Sequence, residues 1–291
     1  MSWAIVTDSS CNLRSWKPSA PNTTFASAPL TIHVGTKEFV DDPNLDVAEL
    51  NRTVAESSEA SSSSCPSVGI WAEAFRAADN VIAITISANL SGSYEAACTA
   101  RNIVMDEYTR EHAGIVAGKN IYVLNSRATG GKMELIVELL DAFLAHNPNA
   151  TFDEVVAYIE HLDQCSTVLF SLSSYDNLIK NGRMPRLAGS IASKLNIRML
   201  GCASDEGTIK IVGPTRGEKK MFRKVVSSME GMGFKGGLVY IDHVDNERAA
   251  TELKGEIEAA WPSATVRLLP CGGLCSYYAE ESGLIIGFEW A

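Results

Sequence analysis

Small polar residues stand at four expected strand ends of this sequence, and their types suit the binding of an anion. The four groups are Asp8-Ser9-Ser10, Ser63 to Ser67, Ser87 with Ser91-Gly92-Ser93, and Ser126. Serine hydroxyls, together with the unpaired N–H groups at a helix N-terminus, can hold a carboxylate or a phosphate. One such turn usually does no more than cap a helix. Several of them at one end of the same sheet favour a ligand site about as strongly as they favour simple caps.

The scarcity of basic residues near these serines favours a ligand with a single negative charge. Between Ser61 and Arg101 the only Lys or Arg is Arg76, whereas a polyphosphate is usually contacted by such side chains. No Gly-x-Gly-x-x-Gly motif follows the first predicted strand, and Gly-x-x-x-x-Gly-Lys-Ser/Thr is absent. We therefore expect no nucleotide cofactor and a carboxylate held by hydroxyl and backbone N–H groups.

Metal chemistry and nucleophilic catalysis have weaker support. Cys271 and Cys275 lie four residues apart with no second pair and no nearby His, so we expect buried small residues there rather than a metal site. The Gly-x-Ser-x-Gly motif of many hydrolases is absent, and no histidine lies beside a serine group in the sequence. We expect no metal ion, no cofactor and no catalytic residue.

The segments around the serine groups alternate between strand and helix in the first half of the chain. Short apolar runs predict strands at 3–7, 28–35, 81–87 and 120–125. Helices are predicted at 46–59, after Ser67, from Ser93 to about Arg110, and from the segment 128–131 to about 146. The serine run that begins at Ser61 has the composition of a linker. This order predicts a parallel sheet with helices on both faces, which would bind ligands at the carboxyl ends of its strands.

The second half is predicted to form a mixed sheet. Thr151 and Glu154 have the spacing of a capping box, and we place the domain boundary near the helix that they begin, with domains 1–160 and 161–291. Strands are expected at 167–172, 237–242, 264–269 and 284–290, and helices at 174–181, 185–195, 216–231 and 246–260. A hairpin over 196–214, turning at Asp205-Glu206-Gly207, makes the sheet mixed. The fold class is therefore α/β, with a parallel N-terminal sheet and a mixed C-terminal sheet.

The net charge of -10 argues against nucleic acid or an anionic membrane surface as the main partner. The first apolar run, which starts at Trp3, meets Asp8 after five residues and does not resemble a signal peptide. No stretch approaches the roughly 18 apolar residues of a transmembrane helix. We expect a cytoplasmic protein, for which transient contact with a membrane stays open.

Six short motifs, in order along the chain, resemble those of the DegV family of bacterial fatty-acid-binding proteins. They are Thr7-Asp8-Ser9-Ser10; Pro29-Leu30 with Gly35 and Asp41-Asp42; Ser63-Ser64-Cys65-Pro66-Ser67; Ile86 to Tyr94; Asn125-Ser126; and Leu178 to Met184. Each motif alone is weak, but six in order identify the chain as similar to this family over essentially its whole length.

The resemblance implies two domains, an acyl chain enclosed within or between them, and no chemistry performed by the protein itself. The residues that it implies at the fatty-acid carboxylate are Ser63 and Ser91. We expect Ser64 and Gly92 beside them, and Asp8, Ser9 and Ser126 in support. Where a fatty acid kinase exists, its catalytic subunit is the implied partner, and Arg183 is the expected contact, with Arg186 and Arg198 completing a basic cluster.

The sequence departs from the family pattern at four positions. Ser63 stands in place of Thr, Cys65 in place of Gln, and Asn125 in place of Asp. Near the end, Pro270 stands where a His-x-Gly-x-Gly loop would begin, which leaves the contribution of that loop open. Two alternatives to a lipid carrier also stay open: an enzyme acting on a small carboxylate or phosphate ester at the same serine groups, and an interaction module with a vestigial pocket.

Overall fold

The computed structural model describes residues 1–112, 118–184 and 197–290. Its strands are β1 (Trp3–Asp8), β2 (Thr23–Ala28), β3 (Thr31–Val34), β4 (Lys37–Val40), β5 (Ser61–Ser64), β6 (Asn80–Thr85), β7 (Asn120–Asn125), β8 (Ser166–Leu172), β9 (Ile197–Ala203), β10 (Ile209–Arg216), β11 (Leu238–His243), β12 (Thr265–Pro270) and β13 (Leu284–Glu289). Its helices are α1 (Val47–Glu56), α2 (Val68–Arg76), α3 (Ser93–Glu111), α4 (Gly131–His146), α5 (Phe152–Gln164), α6 (Asp176–Lys180), α7 (Glu218–Gly231), α8 (Glu247–Ala260) and α9 (Gly273–Ala279).

The first sheet is parallel and has helices on both faces, as the sequence predicts. Its strands lie in the order β2-β1-β6-β7. Ile5 and Ile82 face α4 and α5 on one side, whereas Val6 and Ala83 face α2 and α3 on the other. Every residue of β1 and β6 is buried. Because both faces are covered, these strands have unbroken apolar sequences.

A small antiparallel sheet, in the order β4-β3-β5, lies outside the sequence prediction. The strand expected at 28–35 corresponds to β3, which is shorter, and β2, which ends at Ala28, is not predicted. The expectation of a linker at the serine run is wrong, because Ser61 to Ser64 form β5 and pair with β3. A run of serines has no apolar alternation, so the local pattern cannot reveal a strand that forms through its partners.

The second sheet is mixed, as predicted, in the order β10-β9-β8-β13-β11-β12. Among these strands β11 and β12 pair in parallel, and the other pairs are antiparallel. The β9–β10 hairpin turns at Gly207, whose φ of +79° favours glycine. One face of the sheet packs on α7 and α8, with Val225 and Leu253 around Phe288. The other face is turned toward the loops of the first sheet.

Helix α4 lies between the two sheets and is buried on most of its sides. Its first residue, Gly131, touches Gly287 of β13, where an added Cβ on Gly287 would lie 1.9 Å from the Gly131 carbonyl carbon. Only glycine permits backbones to approach so closely. The predicted capping box at Thr151 and Glu154 begins α5.

Some helix boundaries differ from the prediction, and some predictions are not tested by the structure. Helix α6 is shorter than the expected 174–181, α9 is not predicted, and the helix expected at 185–195 lies outside the described residues. The division into domains 1–160 and 161–291 stays a prediction. Within the described ranges, no helix is long and apolar enough to cross a membrane.

Candidate ligand-binding site

An apolar cavity lies between the loops of the first sheet, the second sheet and α9. It contains about 730 Å³ of space between atoms, its open mouth included. Nearly all of its wall is apolar. The polar side chains that contribute to it are Arg127, Thr129, Arg183, Thr208 and Tyr278. We call the end formed by Leu90, Arg183 and Tyr278 the polar end.

Ser63 is linked to the polar end through Tyr278. The Ser63 Oγ lies 2.8 Å from the Tyr278 hydroxyl oxygen, and the neighbouring Ser61 makes a similar contact of 2.7 Å with Tyr277. Both serines lie on the same face of β5, since side chains alternate along a strand. Burial raises the pKa of Tyr278, against the opposing effects of Ser63 and the Arg183 charge. The phenol is therefore protonated at neutral pH and can donate a hydrogen bond.

Ser64 lies on the opposite face of β5, and its hydroxyl is not part of the cavity wall. It is exposed, and its Oγ lies 3.0 Å from His33 Nε2. The His33 Nδ1 is 3.6 Å from a carboxylate oxygen of Glu38, whose side chain is 70% exposed. The three residues have the order of a nucleophile, a base and an acid, but they stand on an open sheet surface. The structure therefore does not bring Ser64 together with Ser63.

Ser91 and Gly92 form the turn that begins α3, directly beside the end of β5. A Cβ added to Gly92 would lie 3.3 Å from Cys65 Sγ. The half-buried Ser91 accepts a hydrogen bond on its Oγ from the Ser93 N–H, at 3.3 Å. Through this contact between Cys65 and Gly92, the structure places the predicted pair Ser63 and Ser91 on neighbouring segments.

Asp8 holds three loops together at the end of β1. Its Oδ1 accepts from the Ser10 hydroxyl at 2.5 Å, and its Oδ2 accepts from the Ser93 hydroxyl at 2.6 Å and from the Ile86 N–H at 2.9 Å. Burial raises the pKa of Asp8, while these hydrogen bonds act in the opposite direction. With both oxygens occupied, Asp8 positions the loop after β6 and the first turn of α3.

Ser9 and Ser126 both accept hydrogen bonds from backbone N–H groups. The Ser9 Oγ accepts the Leu30 N–H at 2.9 Å, which ties β1 to the segment that precedes β3. The Ser126 Oγ accepts the Ala128 N–H at 3.2 Å, and Ser126 is fully buried. Both residues shape the loops around the cavity, and Ala128 is part of the cavity wall.

Arg183 lies at the polar end and is held there by backbone carbonyls. Its Nη1 donates to the Asn181 carbonyl at 2.6 Å, and its Nε donates to the Leu90 carbonyl at 3.3 Å. Its guanidinium carbon is 5.8 Å from the centre of the Tyr278 ring, a cation–π geometry. Since Leu90 precedes Ser91, the positive charge stands beside the serine turn.

The expected basic cluster is not gathered around Arg183 in the described residues. Arg198 donates to the Ser282 carbonyl at 3.0 Å, and burial lowers its pKa, with Glu218 and Arg248 as its charged neighbours. Arg186 lies outside the described residues.

The loop that follows Pro270 donates its N–H groups to side chains from the first half of the chain. Asp41 accepts the Gly273 N–H at 2.7 Å and the Leu274 N–H at 2.9 Å, and Asn12 accepts the Gly272 N–H at 2.7 Å. These contacts fix the start of α9 and hence the position of Tyr278. The loop acts on the site through that tyrosine.

Tyr278 and Phe170 line the cavity and are not among the sequence-predicted site residues. Helix α9 has only seven residues, too few to show a helical period, so nothing local marks Tyr278. The paired tyrosines after Gly272-Gly273 are the one signal that could have drawn attention to it.

The two cysteines of this region are buried, as predicted. Burial raises the thiol pKa of both Cys271 and Cys275 well above the ordinary value, which leaves the thiols protonated and unreactive. Within the part of the chain that the structure describes, no group of three or more His, Cys, Asp or Glu side chains could hold a metal ion.

The family model of DegV, described as a family of uncharacterised proteins, matches residues 2–289 of the chain. This chain belongs to the DegV family. A DegV domain-containing protein of Streptococcus pyogenes serotype M3 is 38% identical over 289 residues, which cover 99% of this chain and 100% of the relative. The recognition made from the six motifs is thereby confirmed.

Solved structures show the same fold as this DegV chain. The Fatty Acid Kinase (Fak) B3 protein of Streptococcus pneumoniae, loaded with linoleic acid, has a TM-score of 0.94 and 37% identity, with 100% of both chains covered. A DegV family protein from Eubacterium eligens, loaded with heptadecanoic acid, has a TM-score of 0.91 and 32% identity over 100% of both chains. The predicted fold class is confirmed, and both similar proteins hold a long-chain fatty acid.

Proposed function

We propose that this DegV-family protein binds a long-chain fatty acid in the apolar cavity, with the carboxylate at the polar end. The observation that carries the proposal is a cavity with an almost wholly apolar wall that ends beside Arg183 and the Ser63–Tyr278 contact. The linoleic and heptadecanoic acids in the two similar structures support the same class of ligand.

Burial of the acyl chain supplies most of the binding free energy. Each CH₂ group removed from water contributes about 0.8 kcal/mol, so an acid of about sixteen carbons gains at most roughly 12 kcal/mol before association costs. The head group then needs only enough donors to offset its own desolvation.

Hydroxyl donors meet that need at the polar end. A buried carboxylate without partners is costly, whereas hydrogen bonds to a charged group contribute about 1.5–3 kcal/mol each. Ser63, Ser91 and Tyr278 can donate from hydroxyls, while the Arg183 guanidinium is held beside them by the carbonyls of Asn181 and Leu90. Asp8 supports these donors by holding the turn that contains Ser91 in place.

We infer that the protein is a cytoplasmic carrier rather than a catalyst. Ser63 has a tyrosine hydroxyl as its neighbour, and a phenol whose pKa is raised is a poor base for activating a serine. The name of the similar Streptococcus pneumoniae protein supports a fatty acid kinase catalytic subunit as partner. Such a partner would meet the carboxylate at the polar end, where Arg183 lies.

A second candidate, an esterase, has one observation in its favour, namely the row of Ser64, His33 and Glu38. This candidate would be supported if the purified protein hydrolysed short acyl esters. Ser64→Ala should then abolish the activity, and Ser62→Ala should retain it. We expect no turnover above the background rate.

The head-group contacts can be tested by comparing a fatty acid with its own methyl ester. Both ligands bury the same chain, but the ester lacks the charge that the polar end holds. We expect the acid to bind about 10-fold or more tightly than the ester, the ratio for one lost charged hydrogen bond. Equal affinities would contradict the placement of the carboxylate.

A further inference from the structure

Phe170 of β8 lies flat against a strand position that has no side chain. Phe170 pairs with Gly201 of β9, and its ring contributes to the cavity wall. A Cβ added to Gly201 would lie 2.1 Å from Cε2 and 2.6 Å from Cζ of that ring. The ring therefore occupies the space that any side chain at position 201 would need.

The ring is part of the cavity wall, beside two other side chains of β8. Val168, Phe170 and Leu172 alternate along β8 on the face that lines the cavity, about 7 Å from one to the next. Phe170 is the middle one of the three, so the position of its ring affects the space that the cavity offers to an acyl chain.

A displaced Phe170 ring has one direction in which to move. Ile285 of β13 is paired with Phe170 on the side away from β9 and lines the same cavity. Val168 and Leu172 flank it along its own strand. Since these three neighbouring positions are filled, a side chain at position 201 would push the Phe170 ring into the cavity.

We propose that the Gly201–Phe170 pair determines which acyl chains this protein selects, by setting the space that remains open in the cavity. The inference rests on the proposed fatty-acid binding and adds the residues that determine chain selectivity. Gly201→Ala would raise the ring and favour shorter acids. Phe170→Ala would remove the obstacle and favour longer or bent acids.

The test loads delipidated protein with an equimolar mixture of saturated acids of about twelve to eighteen carbons and measures the bound fractions by mass spectrometry after extraction. We expect Gly201→Ala to lower the ratio of the longest to the shortest acid on the order of tenfold, as when two CH₂ groups lose their burial. Phe170→Ala should raise that ratio, and the double variant Gly201→Ala/Phe170→Ala should lose the defect of Gly201→Ala. Cys202→Ala, on the other face of β9, is the matched control and should keep the parental ratio.

A parental ratio in Gly201→Ala, or a double variant that behaves like Gly201→Ala, would overturn the inference while leaving fatty-acid binding intact. If Gly201→Ala does not fold, a parental ratio of the longest to the shortest bound acid in Phe170→Ala is enough by itself to overturn the inference. If the parent protein takes up no acid of any length, the proposed function itself fails, and the inference fails with it.

Discussion

The hydroxyl groups of Ser63 and Tyr278 lie 2.8 Å apart, although 215 residues separate them in the chain. Tyr278 also makes a cation–π contact with Arg183, whose guanidinium carbon is 5.8 Å from the ring centre. A strand of serines, a glycine turn and a seven-residue helix therefore converge on one end of an apolar cavity. The account of the site depends on this convergence.

Ser63 and Ser61 provide a matched test of the polar end. Both hydroxyls contact a tyrosine of α9, but Tyr278 lines the cavity and Tyr277 does not belong to its wall. We expect Ser63→Ala to weaken fatty-acid binding by about 10-fold or more, since one hydrogen bond to a charged group is lost. Ser61→Ala should bind as the parent does. Displacement of a fluorescent fatty acid measures both, and equal losses would remove Ser63 from the site.

Ser91 and Ser67 separate ligand contact from helix capping. The Ser67 Oγ accepts the Ile70 N–H at 3.3 Å and caps α2, so Ser67→Ala should cost about 1 kcal/mol of unfolding free energy with unchanged affinity. Ser91→Ala should lower affinity, with a cost of about 1.5–3 kcal/mol. Calorimetric titration and chemical denaturation measure the two effects. Parental affinity in Ser91→Ala would exclude it from the carboxylate site.

We predict that Arg183 contributes more to the action of a fatty acid kinase partner than to the affinity for the fatty acid. Its guanidinium is already held by the carbonyls of Asn181 and Leu90, so Arg183→Ala should leave acyl-chain binding within a few-fold of the parent. Phosphorylation of the bound acid by a cognate fatty acid kinase should slow by 10-fold or more, because a counter-charge for the phosphate is lost. Arg110→Ala, at an exposed arginine in the last turn of α3, is the control. Unchanged kinase kinetics would leave Arg183 without this role.

Two buried carboxyl groups near the start of α4 predict a pH dependence of stability. Burial raises the pKa of Asp242 to about 7, against weaker effects of Asn12 and the Gly131 N–H. Burial also raises the pKa of Glu134, and the charge of Asp242 raises it further. Within the described residues, both oxygens of Asp242 lack a hydrogen-bond partner.

The folded protein therefore binds the Asp242 proton more tightly than the unfolded chain does. The contribution of Asp242 to the unfolding free energy should fall as the pH rises from about 4 to about 7 and level off above that range. Asp242→Asn should flatten this slope by up to about 4 kcal/mol across the range. Denaturant titrations of parent and variant at several pH values measure the unfolding free energy. Parallel pH profiles would contradict a raised pKa of Asp242 in the folded protein.

The sequence carries enough information to predict the two sheets but not the small one. Runs such as that of β1 are apolar because both faces are covered, so composition alone reveals them. Ser61 to Ser64 are a strand because β3 pairs with them and because two tyrosine hydroxyls meet Ser61 and Ser63. Those stabilising contacts come from distant parts of the chain, and no local pattern encodes them.

The same limit applies to the site. The serine groups were recognisable because residue type and position at strand ends indicate anion binding, and the structure places Ser63 and Ser91 on adjacent segments. Ser64 adjoins Ser63 in the sequence, but strand alternation turns its side chain to the other face. Tyr278 and Phe170 could not be identified, because their roles depend on tertiary contacts with Ser63 and Gly201.

The central claim is that the apolar cavity holds a long-chain fatty acid. Native mass spectrometry of folded protein purified from bacterial cells, followed by organic extraction of the same sample, tests it most directly. The account predicts a co-purified acyl species with the mass of an acid of about sixteen to eighteen carbons, one molecule per chain, lost on delipidation and regained on adding such an acid. Folded protein that carries no acyl species and takes up none when the acid is added would contradict it.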